Sequence, residues 1–156
     1  MNYWLAQANP TKFLIIEYYA KYGNPDTQNT WHSRYAGKVR TDDKVFCFKS
    51  KGDNTWRAIL SLEEVTCNAT KGLKLLPQEE EFVIDRKAQD RLSKEWGFTT
   101  RTVKAFPYNP IKEEDFKKYP GLRDLNAPTP LRRGIFHLSR IQWESLEDLI
   151  RRTRCV

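Results

Sequence analysis

The chain is poor in the residues that build covalent or metal-held scaffolds. Of its 156 residues, three are cysteine (Cys47, Cys67, Cys155) and two histidine (His32, His137). An odd, dispersed set of thiols with no Cys-x-x-Cys pair argues against a disulfide framework, and with so few imidazoles it leaves no zinc-binding pattern. The cysteines are expected to be free thiols in a reducing compartment. Long apolar runs are missing too: none approaches the roughly 18 residues that cross a bilayer. The opening MNYWLAQANP has no basic stretch ahead of an apolar one, so a cytoplasmic protein is expected. No repeat or low-complexity tract is visible. Gly-x-Ser-x-Gly, His-Glu-x-x-His and P-loop motifs are also absent, which argues against those classes of enzyme. No cofactor or metal is expected.

What is present suits a single globular domain. Hydrophobic residues make up 39% and charged residues 30%, enough apolar material over this length to bury a real core. Twenty-seven Lys and Arg outnumber 20 Asp and Glu, for a formal charge of +7. Such a surplus favours polyanionic partners, nucleic acid foremost. Aromatics reach 13%, five of them tryptophan.

Along the chain, YWLAQA (3–8) reads as a first strand that stops at Asn9-Pro10. TKFLIIEYYAKYG (11–23) then carries a helical apolar stripe ending at Gly23. NPDTQNT (24–30) has loop composition. KVFCFKS (44–50) alternates, with Phe46 and Phe48 on one face. Turn residues at 52–54 and the strand TWRAILSLEEV (55–65) complete a hairpin. EFVID (81–85) and RTVKAF (101–106) are further strand candidates around the helical or loop-like RKAQDRLSKEWG (86–97). IKEEDFKKYPG (111–121) reads as a short helix and GIFHLS (134–139) as a last strand. Ser139 and Gln142 form a capping box for a final helix that places Trp143, Leu146 and Ile150 on one face. About five short strands without an alternating strand-helix rhythm predict an α+β fold: a small curved sheet or partial barrel decorated by helices.

Several stretches together resemble a known family. YWLAQANPTKF, TWHSRY, VRTDDKVFCFKS, AILSLEEV, NPIKEEDFKKYPGLRDL and PLRRGIFHLSRIQWESLEDLI look like the EVE domain of the PUA-like superfamily, a relative of the methyl-base-reading YTH domain. The likeness covers residues 2 to 150. It implies one PUA-like domain over 1–150, with RRTRCV (151–156) as a basic tail. The sequence departs from the family at Asp42-Asp43, where Gly-Asp is usual, and at Ala58, where glycine is usual. Both departures bear on turn geometry.

The resemblance implies a deep pocket in which a modified base is held between aromatic walls. It places Trp31 at one wall, in a polar loop, and makes Asn9 and Ser33 candidates for contacts to the base edge. Asn9 also reads as a helix N-cap, and His32 as a loop residue rather than a base or ligand. For the second wall, Trp96 resembles the corresponding YTH position, or else packs on a helix with Ala88 and Leu92. Trp56, beside the hairpin turn, competes with it. Trp4 and Trp143 read as core. Arg34, Lys49, Lys51, Arg132 and Arg133 are expected to form a basic rim for phosphates. A reader of this kind needs aromatic stacking and a few fixed donors and acceptors.

The resemblance thus implies a non-catalytic module that flips methylated or hydroxymethylated cytosine, or N6-methyladenine, out of DNA. It would serve as the specificity domain of a modification-dependent restriction or defence system, with a fused or separate nuclease or motor. A reader of modified RNA is the alternative, since the 2′-OH contact that distinguishes the two is not legible. A small hydrolase like the ASCH relatives is a further one, although GKVRTDDK does not reproduce their Gly-x-Lys-x-x-x-Arg setting. A protein-binding domain would instead use the Trp31 segment as part of an exposed apolar patch.

Overall fold

The computed structural model describes residues 1–50, 57–122 and 134–154. The elements run β1 (Tyr3–Ala8), α1 (Ile15–Tyr22), β2 (Gln28–His32), β3 (Lys44–Lys49), β4 (Ala58–Lys71), α2 (Pro77–Glu80), α3 (Arg86–Leu92), β5 (Trp96–Ala105), β6 (Ile111–Lys112), α4 (Glu113–Phe116), a 3-10 turn (Pro120–Leu122), β7 (Ile135–Leu138) and α5 (Arg140–Arg154). The strands form one curved, unclosed sheet in the order β2-β5-β4-β3-β1-β7, with β6 paired to β4. Only β1 and β3, among these pairs, run parallel.

Period-2 alternation sorts the central strands onto two buried faces. Leu5 of β1 and Phe46 and Phe48 of β3 point to one face, where Trp143, Leu146 and Ile150 of α5 cover them. Trp4 and Ala6 point to the other face with Val45, Val65 and Phe98. Ala8 and Cys47 continue that second face under Tyr18 and Tyr19 of α1. The capping box at the start of α5 is formed: Ser139 N donates to Gln142 Oε1 at 3.0 Å and Gln142 N to Ser139 Oγ at 3.1 Å. Strand β4 is 14 residues long and shifts register against β5 at three places. Such bulges bend a strand and increase its twist, in keeping with the curvature of the sheet.

Several expectations are corrected. The sheet has seven strands rather than about five. Residues 28–32 are strand β2 and not loop, because their backbone groups pair with β5 from Gln28↔Arg101 to His32↔Gly97. Residues 81–85 are not a strand: the chain leaves α2, makes a single bridge at Phe13↔Val83, and then uses Asp85 Oδ1 to cap α3 through Ala88 N at 3.0 Å. Helix α1 starts at Ile15 rather than Thr11. Trp96 opens strand β5 and lies on no helix. Helix α5 continues to Arg154, with Arg151 and Arg152 paired to Asp148.

The two departures from the family pattern have different fates. Asp42 adopts φ +73°, the left-handed conformation that glycine takes without steric cost and that Asp tolerates better than most residues. Ala58 is a fully buried strand residue paired with Lys49 and Lys112, so a small side chain suffices there.

Candidate functional site

A cavity of about 590 Å³ opens beside α1. Its walls come from the end of β1, from α1, from β2 and from α3. Tyr18 and Tyr19 line it from the helix, Trp31 and Ser33 from the strand side, and Leu92 and Arg91 from α3. Its size falls in the range of small-ligand sites, roughly 300–1,000 Å³.

Trp31 is the organising aromatic. It is half-buried in β2, and it touches both the Phe98 cluster and the Tyr19 cluster. Its indole N–H donates to Glu63 Oε1 at 2.9 Å. Glu63 is wholly buried in β4, yet each of its oxygens has partners. Oε1 accepts also from Asn29 Nδ2 at 3.1 Å and from the Thr100 hydroxyl, while Oε2 accepts from the hydroxyls of Tyr19 and Ser61. An unpartnered buried carboxyl is costly, and hydrogen bonds to it are what make burial tolerable. Asn29 extends the network, donating to Thr102 Oγ1 at 2.9 Å and accepting from Tyr18 OH at 2.8 Å. Trp31 therefore has a fixed ring plane, set from behind by a carboxyl group on another strand.

The same burial shapes the acidities. Desolvation, followed by the nearby Glu79 and Glu63, raises the Tyr18 hydroxyl above its ordinary value. Burial, Cys47 and Glu63 do the same for Tyr19. Burial lowers His32, whose Nε2 lies against Leu73 O at 2.5 Å, so the ring is tied to the β4-α2 connection. Glu79 of α2 is buried and its pKa is raised by that burial; it accepts from Thr30 N and Leu76 N, each at 2.9 Å. That carboxyl covers part of the exposed edge of β2, where an unpaired N–H row would otherwise invite pairing.

Of the residues expected at the site, Trp31, Asn9, Ser33 and Arg34 line this one cavity. Asn9 is exposed, and its Oδ1 accepts from Thr11 N at 2.9 Å and Thr11 Oγ1 at 2.8 Å. It caps the turn before α1 and not the helix itself. Ser33 is buried; its N–H donates to Trp96 O at 2.9 Å and its Oγ accepts from Tyr35 N at 3.2 Å. Beside it stands Gly134 at φ +70°, where a Cβ would lie 3.4 Å from Ser33 Oγ. Arg34 is exposed, 5.6 Å from the Tyr35 ring centroid.

Two other residues lie elsewhere. Trp96 does not line the cavity: its ring packs where a Cβ on Gly37 would come within 3.1 Å, and Lys71 Nζ is 5.3 Å from its centroid. Lys49, expected at the basic rim, is buried with Nζ donating to Ser50 O at 3.2 Å, and burial lowers its pKa to about 8. Trp56, Lys51, Arg132 and Arg133 lie outside the described residues. Trp4 and Trp143 are core, as expected. The site residues that sequence reading missed are Tyr18, Tyr19, Asn29 and Glu63. The available signal was Ser61 and Glu63 at i, i+2 directly after the apolar run Ala58-Ile59-Leu60, two polar groups on one face of the strand. Among the described residues no group of three His, Cys, Asp or Glu side chains could hold a metal ion. No helix there is long and apolar enough to cross a membrane.

The curved mixed sheet with its flanking helices is a PUA-like fold. Solved structures share it over nearly the whole chain. A hypothetical protein from Leishmania major superposes with a TM-score of 0.69 at 17% identity, covering 99% of this chain and 97% of that one. Human THYN1, solved in complex with DNA containing 5-methylcytosine, gives 0.64 at 15% identity, covering 96% and 97%. The DUF55 domain of human thymocyte nuclear protein 1 gives 0.62 at 17% identity, covering 94% and 97%. No protein-family model matches the sequence, and no curated protein matches it significantly.

Proposed function

We propose that this chain is a non-catalytic module that binds DNA carrying a modified base, 5-methylcytosine first among the candidates, and takes that base out of the stack into the cavity beside α1. The observation that carries this reading is Trp31: a half-buried indole on the cavity wall, held in one plane by Glu63. A stacking platform must be flat, accessible on one face and immobile. Stacking of a base on such a ring contributes about 1–3 kcal/mol, comparable to the few kcal/mol that extrusion costs. A methyl group buried against apolar wall adds roughly 0.8 kcal/mol, so discrimination relies mainly on fit. The DNA-bound human THYN1 structure shares this fold, which supports DNA over RNA as the partner.

In this reading residues 1–150 act as one domain. Base selection would serve a modification-dependent restriction or defence system whose cutting or motor activity resides in a fused or separate partner. Asn9 and Ser33 stand where they can meet the base edge, and Arg34 where it can meet phosphate.

The test is binding of wild type and Trp31→Ala to matched single- and double-stranded DNA and RNA, plain or carrying 5-methylcytosine, 5-hydroxymethylcytosine or N6-methyladenine, at one salt concentration. A preference for one modified DNA, with affinity for it falling by about 1–3 kcal/mol in the variant, is the expected result. Equal binding to every oligonucleotide, unchanged by the substitution, would sink the proposal.

A further inference from the structure

The expected basic rim is thinned by the fold, since Lys49 is buried. A different set of cations stands on and just after α3, the helix that forms one wall of the cavity. Helix α3 and the turn after it contribute Ala88, Gln89, Arg91, Leu92 and Glu95 to the cavity wall. On a helix, positions i, i+4 and i+7 share one face, which puts Lys87, Arg91 and Lys94 in a row. The turn carries that geometry past the end of α3, with Lys94 N donating to Arg91 O at 3.3 Å and Glu95 N to Leu92 O at 2.9 Å. All three cations are exposed.

None of the three makes an ion pair among the described residues, unlike their neighbour Arg86, which is held by Glu80 at 2.6 Å and approaches Asp90 at 3.9 Å. Arg86 thus engages Glu80 and approaches Asp90, the one acid that shares the face of the row, at i, i+3 from Lys87 and i, i+4 to Lys94. Glu95 is turned to the cavity side, where a base rather than a phosphate would sit. Arg91 belongs to both surfaces: it lines the cavity and stands within the row.

We infer that Lys87, Arg91 and Lys94 form the strip on which the DNA backbone lies while one base occupies the cavity. This rests on the base-binding reading above and names the phosphate-contacting surface of that same site. Three unpaired cations in line, contiguous with a cavity sized for a small ligand, match consecutive phosphates flanking an extruded nucleotide. Contacts of this kind are sequence-independent and act through counterion release.

The experiment compares wild type, the triple variant K87Q/R91Q/K94Q and a charge-matched control, K112Q/K117Q/K118Q, whose sites line no part of the cavity. Each is titrated with a plain and a 5-methylcytosine duplex over a range of salt. The strip variant should lower the slope of log K against log salt by about 2.7 on both duplexes, about 0.9 for each phosphate that is no longer neutralised. An unaltered slope overturns the inference, and so does an equal drop in the control, which would be a net-charge effect. Tighter wild-type binding to polyglutamate than to either duplex overturns it as well. The two readings separate cleanly. A wild type without methyl preference whose slope still falls only in the strip variant keeps the strip and removes the base reading. Intact preference with an unaltered slope does the reverse.

Discussion

The two faces of the central sheet solve burial in opposite ways. Under α5, Phe46, Phe48, Leu138 and Trp143 make a dry aromatic and aliphatic core, with the Phe46 and Trp143 centroids 4.2 Å apart. Under α1, Tyr18, Tyr19, Asn29, Ser61, Glu63 and Thr100 form a buried hydrogen-bonded lattice. The dry face is held by area and shape, which tolerate small adjustments. The polar face is held by partners that must each be present. A cavity belongs on the second face, because a lattice of this kind fixes side-chain orientation even where packing is incomplete.

The largest effect should come from the dry face. Phe46→Ala should cost about 3–5 kcal/mol of stability, read as a lower denaturant midpoint. A loss below about 1 kcal/mol would mean that this core is not closely packed. On the polar face, Glu63→Met should cost about 3 kcal/mol by stranding the Trp31, Asn29 and Thr100 donors. Glu63→Gln should cost much less, since the Tyr19 and Ser61 hydroxyls can turn to accept from the new amide. Trp31 fluorescence should shift in the Met variant and be restored in the Gln variant. Equal costs for the two would show that the carboxyl group does not orient the indole.

Lys49 is buried at the end of β3, paired with Ala8 of β1. Its folded pKa of about 8 lies below the ordinary 10.5, so between those values the unfolded chain binds more protons than the folded one. Stability from this group therefore rises with pH from about 8 towards 10.5, and it falls as pH drops through that window. Lys49→Met should remove that rise, a difference of at most about 3 kcal/mol across the window. Parallel stability curves for the two proteins between pH 8 and 10 would refute the burial of a charged ammonium. The smallest effect belongs to the turn entering β3. Asp42→Gly should add up to about 1 kcal/mol by relieving the left-handed backbone at φ +73°, and a loss of stability would show that Asp42 contributes a compensating contact.

Legibility follows the distance over which each feature is decided. Strand β1 is visible at Tyr3–Ala8 because alternation and the Asn9-Pro10 stop are local. The start of α5 is visible because Ser139 and Gln142 are three residues apart. Strand β2 is hidden: Gln-Asn-Thr carries turn composition, and its extended form comes from pairing with β5 some seventy residues later. The 81–85 segment misleads in the opposite sense, since its apolar residues serve to pack α1 through Phe82 rather than to join the sheet.

The site divides along the same line. Trp31, Asn9 and Ser33 follow from the resemblance and Arg34 from the expected basic rim, and all four line one cavity. Trp96 follows from the resemblance too and faces elsewhere, because the strand it opens sends its ring to Gly37. By itself, the sequence determined the class of fold, the two central strands and the amphipathic α5, all consequences of short-range periodicity and capping chemistry. Only the tertiary structure decided that Glu63 stands behind Trp31, that Lys49 is buried and that α3 brings Lys87, Arg91 and Lys94 beside the cavity. Those facts depend on strand order and register, which bring together residues whose spacing along the chain carries no period.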